Sequence, residues 1–173
     1  ANTDGTPEII QKFIRDSRVK SLRLEIPVSV TENWNNALNA SSGDYILMMG
    51  DDDYLLPNYF YRMEQLLNKY NQPDCILHNA YSYVAPGSID NNPHSFYSES
   101  HFQFDEDFQE ENLLTAKQRL DIVCDMFDFK VRIPLNMQTT LVARKAFSKI
   151  DGGVFQKPFP DHYALNSLLL TAS

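Results

Sequence analysis

The chain has 173 residues, of which 43% are hydrophobic and 12% aromatic, and this composition is sufficient for the core of one globular domain. Its formal net charge is −8 at pH 7, and its 15 basic residues are scattered along the sequence. Both features argue against a nucleic-acid binder, which holds phosphates with clustered Lys and Arg. An acidic protein can still bind an anionic nucleotide if a metal ion supplies the positive charge.

The two cysteines and the distribution of apolar residues bear on the cellular compartment of the chain. Cys75 and Cys124 lie in apolar stretches without metal-ligand spacing, which predicts free, buried thiols in a reducing environment. No apolar run reaches the roughly 18 residues expected of a membrane span, and the N-terminus lacks a signal-peptide pattern. We therefore expect a cytoplasmic chain, and a peripheral association of a longer parent protein with a membrane stays open.

The first third of the sequence predicts helices and strands in turn. Thr6 and Pro7 are typical of the start of a helix, with the threonine as the cap and the proline at the first helical position. The alternating apolar residues of 22–26 predict a strand with one buried face. Residues 31–40 have helical spacing and end at Ser42-Gly43, and the apolar run within 44–50 predicts a strand covered on both faces.

The rest of the sequence continues this alternation. A helix is predicted from Pro57, a strand over 75–84, a strand over 137–142 and a helix from Asp161. Residues 85–112 have no sustained period and are read as a surface excursion. Between this excursion and the strand predicted over 137–142, the sequence predicts a helix whose buried face would contain Leu120, Val123, Cys124 and Phe127. The alternation predicts an α/β domain over 1–173 with a mostly parallel sheet flanked by helices.

Three consecutive carboxylates, Asp51, Asp52 and Asp53, follow the predicted strand of 44–50. Like charges this close raise one another's pKa unless a cation neutralises them, and Mg²⁺ or Mn²⁺ prefers oxygen ligands. Ligands of open α/β sheets bind at the carboxyl ends of strands, where this triplet falls. The alternative is that the aspartates, Asp53 above all, cap the helix predicted near Pro57.

Residues 33–57, which read NWNNALNASSGDYILMMGDDDYLLP, resemble the core of family 2 glycosyltransferases with the GT-A fold: an Asn-bearing helix, Gly-Asp-Tyr-Ile, an apolar strand, an aspartate motif and Tyr-Leu-x-Pro. The opening residues 2–10 are similar to the Ser-Thr-Asp-Gly-Thr segment of that family. The resemblance implies a Rossmann-like GT-A sheet and the transfer of a sugar from a nucleotide-diphosphate donor to a hydroxyl of a saccharide or lipid-linked acceptor.

The resemblance also assigns roles to single residues. Asp52 falls on the aspartate that coordinates the metal, Asp51 lies within the motif, and Gly50 stands where the family often has its first aspartate. A shift of one residue would instead make Asp51 and Asp53 the Asp-x-Asp pair. Asn35 lies on the helix whose counterpart in the family approaches the nucleotide, so it is a candidate donor-binding residue.

A second motif lies near the C-terminus, where residues 159–165 resemble the Glu-Asp-x-x-Leu segment of the family. Its aspartate is the general base of inverting members, which makes Asp161 the candidate base that takes the proton of the acceptor hydroxyl. Pro160 stands where the family commonly has Glu. The alternative reading of Asp161 is the N-cap of the last helix, and the two roles are compatible.

Family members begin with a strand, a helix and a second strand that have no counterpart here, so the resemblance implies an N-terminally truncated domain. Loss of the first βαβ portion would expose a sheet edge, and we expect homodimerisation there. A function of a different class stays open, in which the GT-A scaffold serves binding or assembly without catalysis or is an inactive fragment.

Overall fold

The computed structural model describes residues 4–90, 92–99 and 103–173. The helices are α1 Thr6–Phe13, α2 Val30–Ala40, α3 Tyr59–Lys69, α4 Ala116–Phe127, α5 Arg144–Phe147 and α6 Pro160–Thr171. The strands are β1 Tyr45–Ile46, β2 Cys75–Leu77, β3 Ser82–Val84, β4 Phe96–Ser98 and β5 Thr140–Ala143. Short 3₁₀ turns cover Glu106–Phe108 and Met137–Thr139. The chain contains both helices and strands, and they alternate over α2, β1, α3 and β2.

Local signals in the sequence set where the central helices begin. Ser29 precedes α2, its hydroxyl accepts the N–H of Glu32, and the Glu32 carboxylate accepts the N–H of Ser29. Thr115 and Gln118 make the same reciprocal pair at the start of α4. Each pair satisfies two backbone donors that a helix start leaves open, which is why these helices begin where they do.

The sheet differs from the expected mostly parallel one. Its order is β1-β5-β2, and both outer strands pair with β5 in the antiparallel sense, with Ile46 and Cys75 each opposite Val142. A second sheet is the antiparallel hairpin of β3 and β4. Among the described residues every hydrogen-bonded strand pair is antiparallel, so a mostly parallel sheet is not confirmed. The β1-α3-β2 unit does make its two strands point the same way, but β5 lies between them.

The core lies around β5, whose four residues are all buried because strands flank it on both sides. The larger buried side chains that the second half of the chain adds to this core outside β5 are Phe108, Ile122, Val123, Ile133, Leu135, Met137, Phe147, Ile150, Phe155, Leu165, Leu168 and Leu169. Side chains of this size contribute about 1.5–3 kcal/mol each when fully buried, so β5 and α6 carry much of the stability. Within the described residues no helix is long and apolar enough to cross a membrane.

Two local predictions are wrong. Residues 22–26 form no strand in the described chain, and the side chains of Leu22 and Ile26 are exposed, because alternation alone provides no partner strand. The predicted face of α4 buries only Val123, while Leu120 and Phe127 are exposed. The orientation of α4 is instead set by its packing on α6. Arg119 of α4 donates hydrogen bonds to the carbonyl oxygens of Leu169 in α6 and of Ala172 directly after it.

The cysteines differ from each other, contrary to the expectation that both are buried. Cys124 is exposed on α4. Cys75 lies in β2, where burial raises the pKa of its thiol to about 11, so the thiol stays protonated and unreactive at neutral pH. The excursion over 85–112 contains β4 and the 3₁₀ turn that carries the buried Phe108, so part of it packs against the core.

Candidate active site

The acidic triplet follows β1 after four residues, and all three of its side chains are exposed. A turn at Asp51 and Asp52 reverses the chain, and it is closed by the hydrogen bond that the Gly50 N–H donates to Asp53 Oδ2 at 2.8 Å. A Cβ at residue 50 would lie 2.7 Å from Asp52 Oδ1 and 2.9 Å from Asp53 Oδ2. Glycine at this position therefore lets two carboxylates approach the backbone of the turn.

The aspartates do not cap the following helix, so that alternative is wrong. α3 begins at Tyr59, and its N-cap residue is Asn58, which has a left-handed backbone (φ 66°) and makes no side-chain capping hydrogen bond. Asp53 stabilises the turn at Gly50 instead. The carboxylates of Asp51 and Asp52 accept no hydrogen bond from any described residue, which leaves both available to a ligand.

The triplet has the donor chemistry of a site for Mg²⁺ or Mn²⁺. Carboxylate oxygens are hard ligands, and a protein site for these ions commonly provides only one or two carboxylates while substrate phosphates and water complete the shell. Across residues 4–90, 92–99 and 103–173, no group of three His, Cys, Asp or Glu side chains is assembled around one point. Of the three carboxylates, Asp52 and Asp53 are the pair brought closest to Gly50.

His78 and Tyr59 form a hydrogen-bonded pair near the carboxyl ends of β1 and β2, and no pattern in the sequence indicates this contact. β1 and β2 run in the same direction, so their carboxyl ends share one edge, and His78 directly follows β2. His78 Nδ1 lies 3.0 Å from the carbonyl oxygen of Asn79, and because a carbonyl only accepts, this nitrogen carries the proton. Nε2 is then the acceptor for the hydroxyl of Tyr59, 3.1 Å away.

Burial determines the protonation of this pair. It lowers the pKa of His78 below its ordinary value of 6.5, against the opposing hydrogen bond to Asn79. It also raises the pKa of Tyr59 to about 12. Both groups are neutral at pH 7, and Tyr59 lies at the first residue of α3, so the pair ties the end of β2 to the helix that follows the acidic triplet.

Asn35 is placed as a structural link between α2 and the segment before α6. Its amide Nδ2 donates to the carbonyl oxygens of Thr31 and Phe155, both at 3.0 Å. The neighbouring Trp34 packs edge-on against Phe155, with ring centroids 5.3 Å apart. Because both amide hydrogens are used within the chain, only the Asn35 carbonyl oxygen stays open for a donor nucleotide.

Asp161 is the second residue of α6, and the N-cap position belongs to Phe159, so the capping alternative is wrong. Its side chain is half-buried in the first turn, a favourable place for a carboxylate near the positive end of the helix dipole. No described residue donates a hydrogen bond to this carboxylate. His162, next to it, is exposed, and its ring lies edge-on to Phe159 with centroids 6.2 Å apart.

The segment after the triplet reaches the β3–β4 hairpin through aromatic side chains. Tyr54 donates a hydrogen bond to the hydroxyl of Tyr97 at 2.7 Å, and its ring is in edge contact with Tyr83 at 6.0 Å between centroids. The sequence analysis missed this cluster because the tyrosines are separated by up to 43 residues in the chain. The local signal is the spacing of two between Tyr81 and Tyr83, which places both on one side of an extended segment.

The chain matches one family of known proteins. Residues 1–132 match the model of glycosyl transferase family 2, which covers the acidic triplet, His78 and the hairpin but ends before Asp161. The chain therefore belongs to glycosyl transferase family 2, whose domain implies a GT-A α/β fold and glycosyl transfer as the activity. A comparison with curated proteins finds no match.

Proposed function

We propose that the chain transfers a sugar from a nucleotide-diphosphate donor to a hydroxyl of a saccharide or lipid-linked acceptor, with inversion, in the synthesis of a glycan or cell-surface polysaccharide. The observation that carries the proposal is the pair of exposed carboxylates, Asp51 and Asp52, free of hydrogen bonds from the described residues at the carboxyl edge of the sheet. Membership of glycosyl transferase family 2 supports the reaction type.

The acidic triplet would hold Mg²⁺ or Mn²⁺ together with the donor diphosphate. Without a cation, carboxylates and a diphosphate at one place would repel each other, since like charges at this distance are unfavourable. The cation supplies neutralisation of the charge that the leaving diphosphate develops. Asp52 is the main ligand in the proposal, with Asp51 and Asp53 as the remaining candidates, and Gly50 lets Asp52 and Asp53 lie against the turn.

Asp161 would act as the general base. Its carboxylate would accept the proton of the acceptor hydroxyl as that oxygen forms a bond to the anomeric carbon, while the bond from this carbon to the diphosphate oxygen breaks. Attack opposite the leaving group inverts the anomeric configuration. A half-buried carboxylate without an internal hydrogen-bond donor among the described residues is suited to this role, because nothing in the chain competes for its lone pairs.

A titration of the chain with nucleotide diphosphates tests the metal-dependent site. We expect UDP, GDP or another nucleoside diphosphate to bind in the presence of Mn²⁺ and to lose at least about tenfold in affinity when EDTA is added or when Asp52 is changed to Asn. Asp121→Asn is the matched control, because among the described residues that exposed aspartate pairs with Lys117 on α4 and with no other cation. Metal-independent binding, or none by any nucleotide, would refute the proposal and favour a non-catalytic role in binding or assembly.

The base is tested separately. Asp161→Asn should reduce acceptor-stimulated release of the nucleoside diphosphate by about 10²–10⁴-fold and leave nucleotide affinity unchanged, because the amide cannot accept the proton. The control is His162→Ala, which changes the exposed neighbour. Turnover retained in Asp161→Asn would remove this residue from the mechanism.

Homodimerisation through a sheet edge is part of the same proposal. In the described chain β1 pairs with β5 on one side only, so its other edge offers free backbone donors and acceptors. Sedimentation equilibrium tests this proposal. A monomer at all concentrations up to about 100 μM, which means an association free energy weaker than about −5.5 kcal/mol, would contradict it.

A further inference from the structure

A surface of four tyrosines lies beside the acidic triplet. We call Tyr54, Tyr81, Tyr83 and Tyr97 the tyrosine platform. Tyr83 and Tyr97 are direct partners across β3 and β4, with ring centroids 5.6 Å apart. Tyr81 lies two residues before Tyr83, on the same side of the hairpin, and its ring is 6.3 Å from that of Tyr97. Tyr54, directly after Asp53, completes the group.

The rings of the platform are held in place and yet open to solvent. Each tyrosine is about half exposed, from 48% for Tyr83 to 56% for Tyr97. Edge and tilted contacts between neighbouring rings fix their orientation, and the hydrogen bond from Tyr54 to Tyr97 fixes two of the hydroxyls. Core packing does not account for four clustered rings with this exposure.

The charge near the tyrosine platform and the chemistry of its rings limit the class of ligand that can bind there. The three carboxylates that precede Tyr54 and the net charge of −8 disfavour a phosphate-rich strand of nucleic acid. A neutral sugar ring has one face of C–H groups and a rim of hydroxyls. The C–H face matches the apolar face of a tyrosine ring, and the rim matches the phenol hydroxyls, which both donate and accept.

We propose that the tyrosine platform binds the acceptor of the reaction as a neutral oligosaccharide, whose sugar units stack on the exposed tyrosine rings beside the acidic triplet. The identification of this saccharide as the acceptor rests on the proposed function, whereas its binding to the rings does not. Because Tyr54 follows Asp53 directly, a saccharide on the platform lies next to the site of the donor diphosphate. Rings from three separate chain segments contact successive units, which favours an oligosaccharide over a single sugar.

The test measures oligosaccharide binding in the absence of nucleotide and metal. Maltohexaose, cellohexaose and N-acetylchitohexaose are each added to the chain, and saturation transfer from protein aromatic protons to sugar C–H protons is recorded by NMR. We expect at least one of the three to bind with a millimolar or better dissociation constant. Tyr97→Ala should weaken that binding by about tenfold or more, as truncation of a central aromatic anchor does.

Two variants control the interpretation. Tyr97→Phe keeps the ring and should stay within about threefold of the parent affinity, because only one hydroxyl contact is lost. Tyr61→Ala removes a tyrosine that is 63% exposed on α3 and outside the platform, and it should not change the affinity. If Tyr97→Ala does not fold by circular dichroism, Tyr81→Ala takes its place in the same comparison.

The outcomes separate this proposal from the transferase itself. Binding by none of the three oligosaccharides, or equal affinity of Tyr97→Ala and the parent, overturns the platform even if nucleotide binding depends on Mn²⁺. Oligosaccharide binding that is lost in Tyr97→Ala supports the platform even if no nucleotide binds, and the failure then belongs to the proposed donor site.

Discussion

Asp74 is the carboxylate whose removal we expect to cost the fold most. It is only 4% exposed, and its Oδ2 accepts hydrogen bonds from Lys149 Nζ at 2.6 Å and from the N–H and hydroxyl of Ser173, both at 2.9 Å. Lys145 Nζ lies 3.7 Å from Oδ1. These contacts connect Ser173, Lys149 and α5 to Asp74, which directly precedes β2.

The size of the effect follows from the pKa of Asp74. Burial by itself would raise this pKa, but the hydrogen bonds from Lys149 and Ser173 outweigh burial and lower it from 3.8 to about 2. The difference corresponds to about 2 kcal/mol of unfolding free energy at neutral pH. Because the folded pKa is the lower one, this stabilisation is present above pH 3.8 and is lost as the pH falls towards 2. Near pH 3 about half of it remains.

Urea unfolding of Asp74→Asn and of the parent chain at pH 7, 5, 4 and 3 measures the contribution of Asp74 to the free energy of unfolding. We expect the variant to be less stable by about 2 kcal/mol at pH 7 and 5, and the difference to shrink by about half at pH 3. Asp121→Asn is the matched control, whose exposed pair with Lys117 is worth no more than about 0.5 kcal/mol. A difference that is absent at pH 7, or one that does not change with pH, would refute the assignment of the stabilisation to the ionised Asp74 carboxylate.

Two further predictions concern the edge of the sheet that carries the site. Burial keeps the pKa of His78 below 6.5, so the unfolding free energy should fall as the pH drops below 6.5 and the unfolded state gains a proton. His78→Gln should remove that slope in urea titrations, and an unchanged slope would place its origin elsewhere. Gly50→Ala should displace Asp52 and Asp53 and weaken Mn²⁺-dependent nucleotide binding by about 10–100-fold, the range found when the support of a metal ligand is lost. Gly5→Ala is its control, since nothing lies within 4 Å of the added methyl group, and equal affinity of the two variants would contradict the role of Gly50.

The helices could be predicted because their signals are local. Reciprocal caps at Ser29 and Thr115 and an early proline in α1 and α6 act within a few residues, and they determine helix starts regardless of the rest of the fold. The acidic triplet was recognisable for the same reason, since its three residues are adjacent in sequence. The match of residues 1–132 to glycosyl transferase family 2 confirms the resemblance inferred from this region.

Pairings between distant segments could not be predicted in this way. The insertion of β5 between β1 and β2 joins residues that are 63 or more positions apart, and nothing in the local pattern of Thr140–Ala143 specifies that neighbour. The strand predicted over 22–26 failed for the complementary reason, because its alternation is real but no described strand pairs with it. The buried face of α4 likewise depends on α6, more than 30 residues later.

The two parts of the proposed site differ in the same way, because one is a local motif and the other is formed by distant segments. The carboxylates that would hold the diphosphate come from one short motif, whereas the surface that would hold the acceptor is assembled from Tyr54 and two strands of a hairpin. A motif of adjacent aspartates can hold a cation together with a diphosphate, and the diphosphate is common to nucleotide-diphosphate sugar donors. An acceptor differs from one saccharide to another, so its surface must be built from side chains that vary independently. The antiparallel hairpin provides such positions beside the triplet, to which Tyr54 connects it through contacts with Tyr83 and Tyr97.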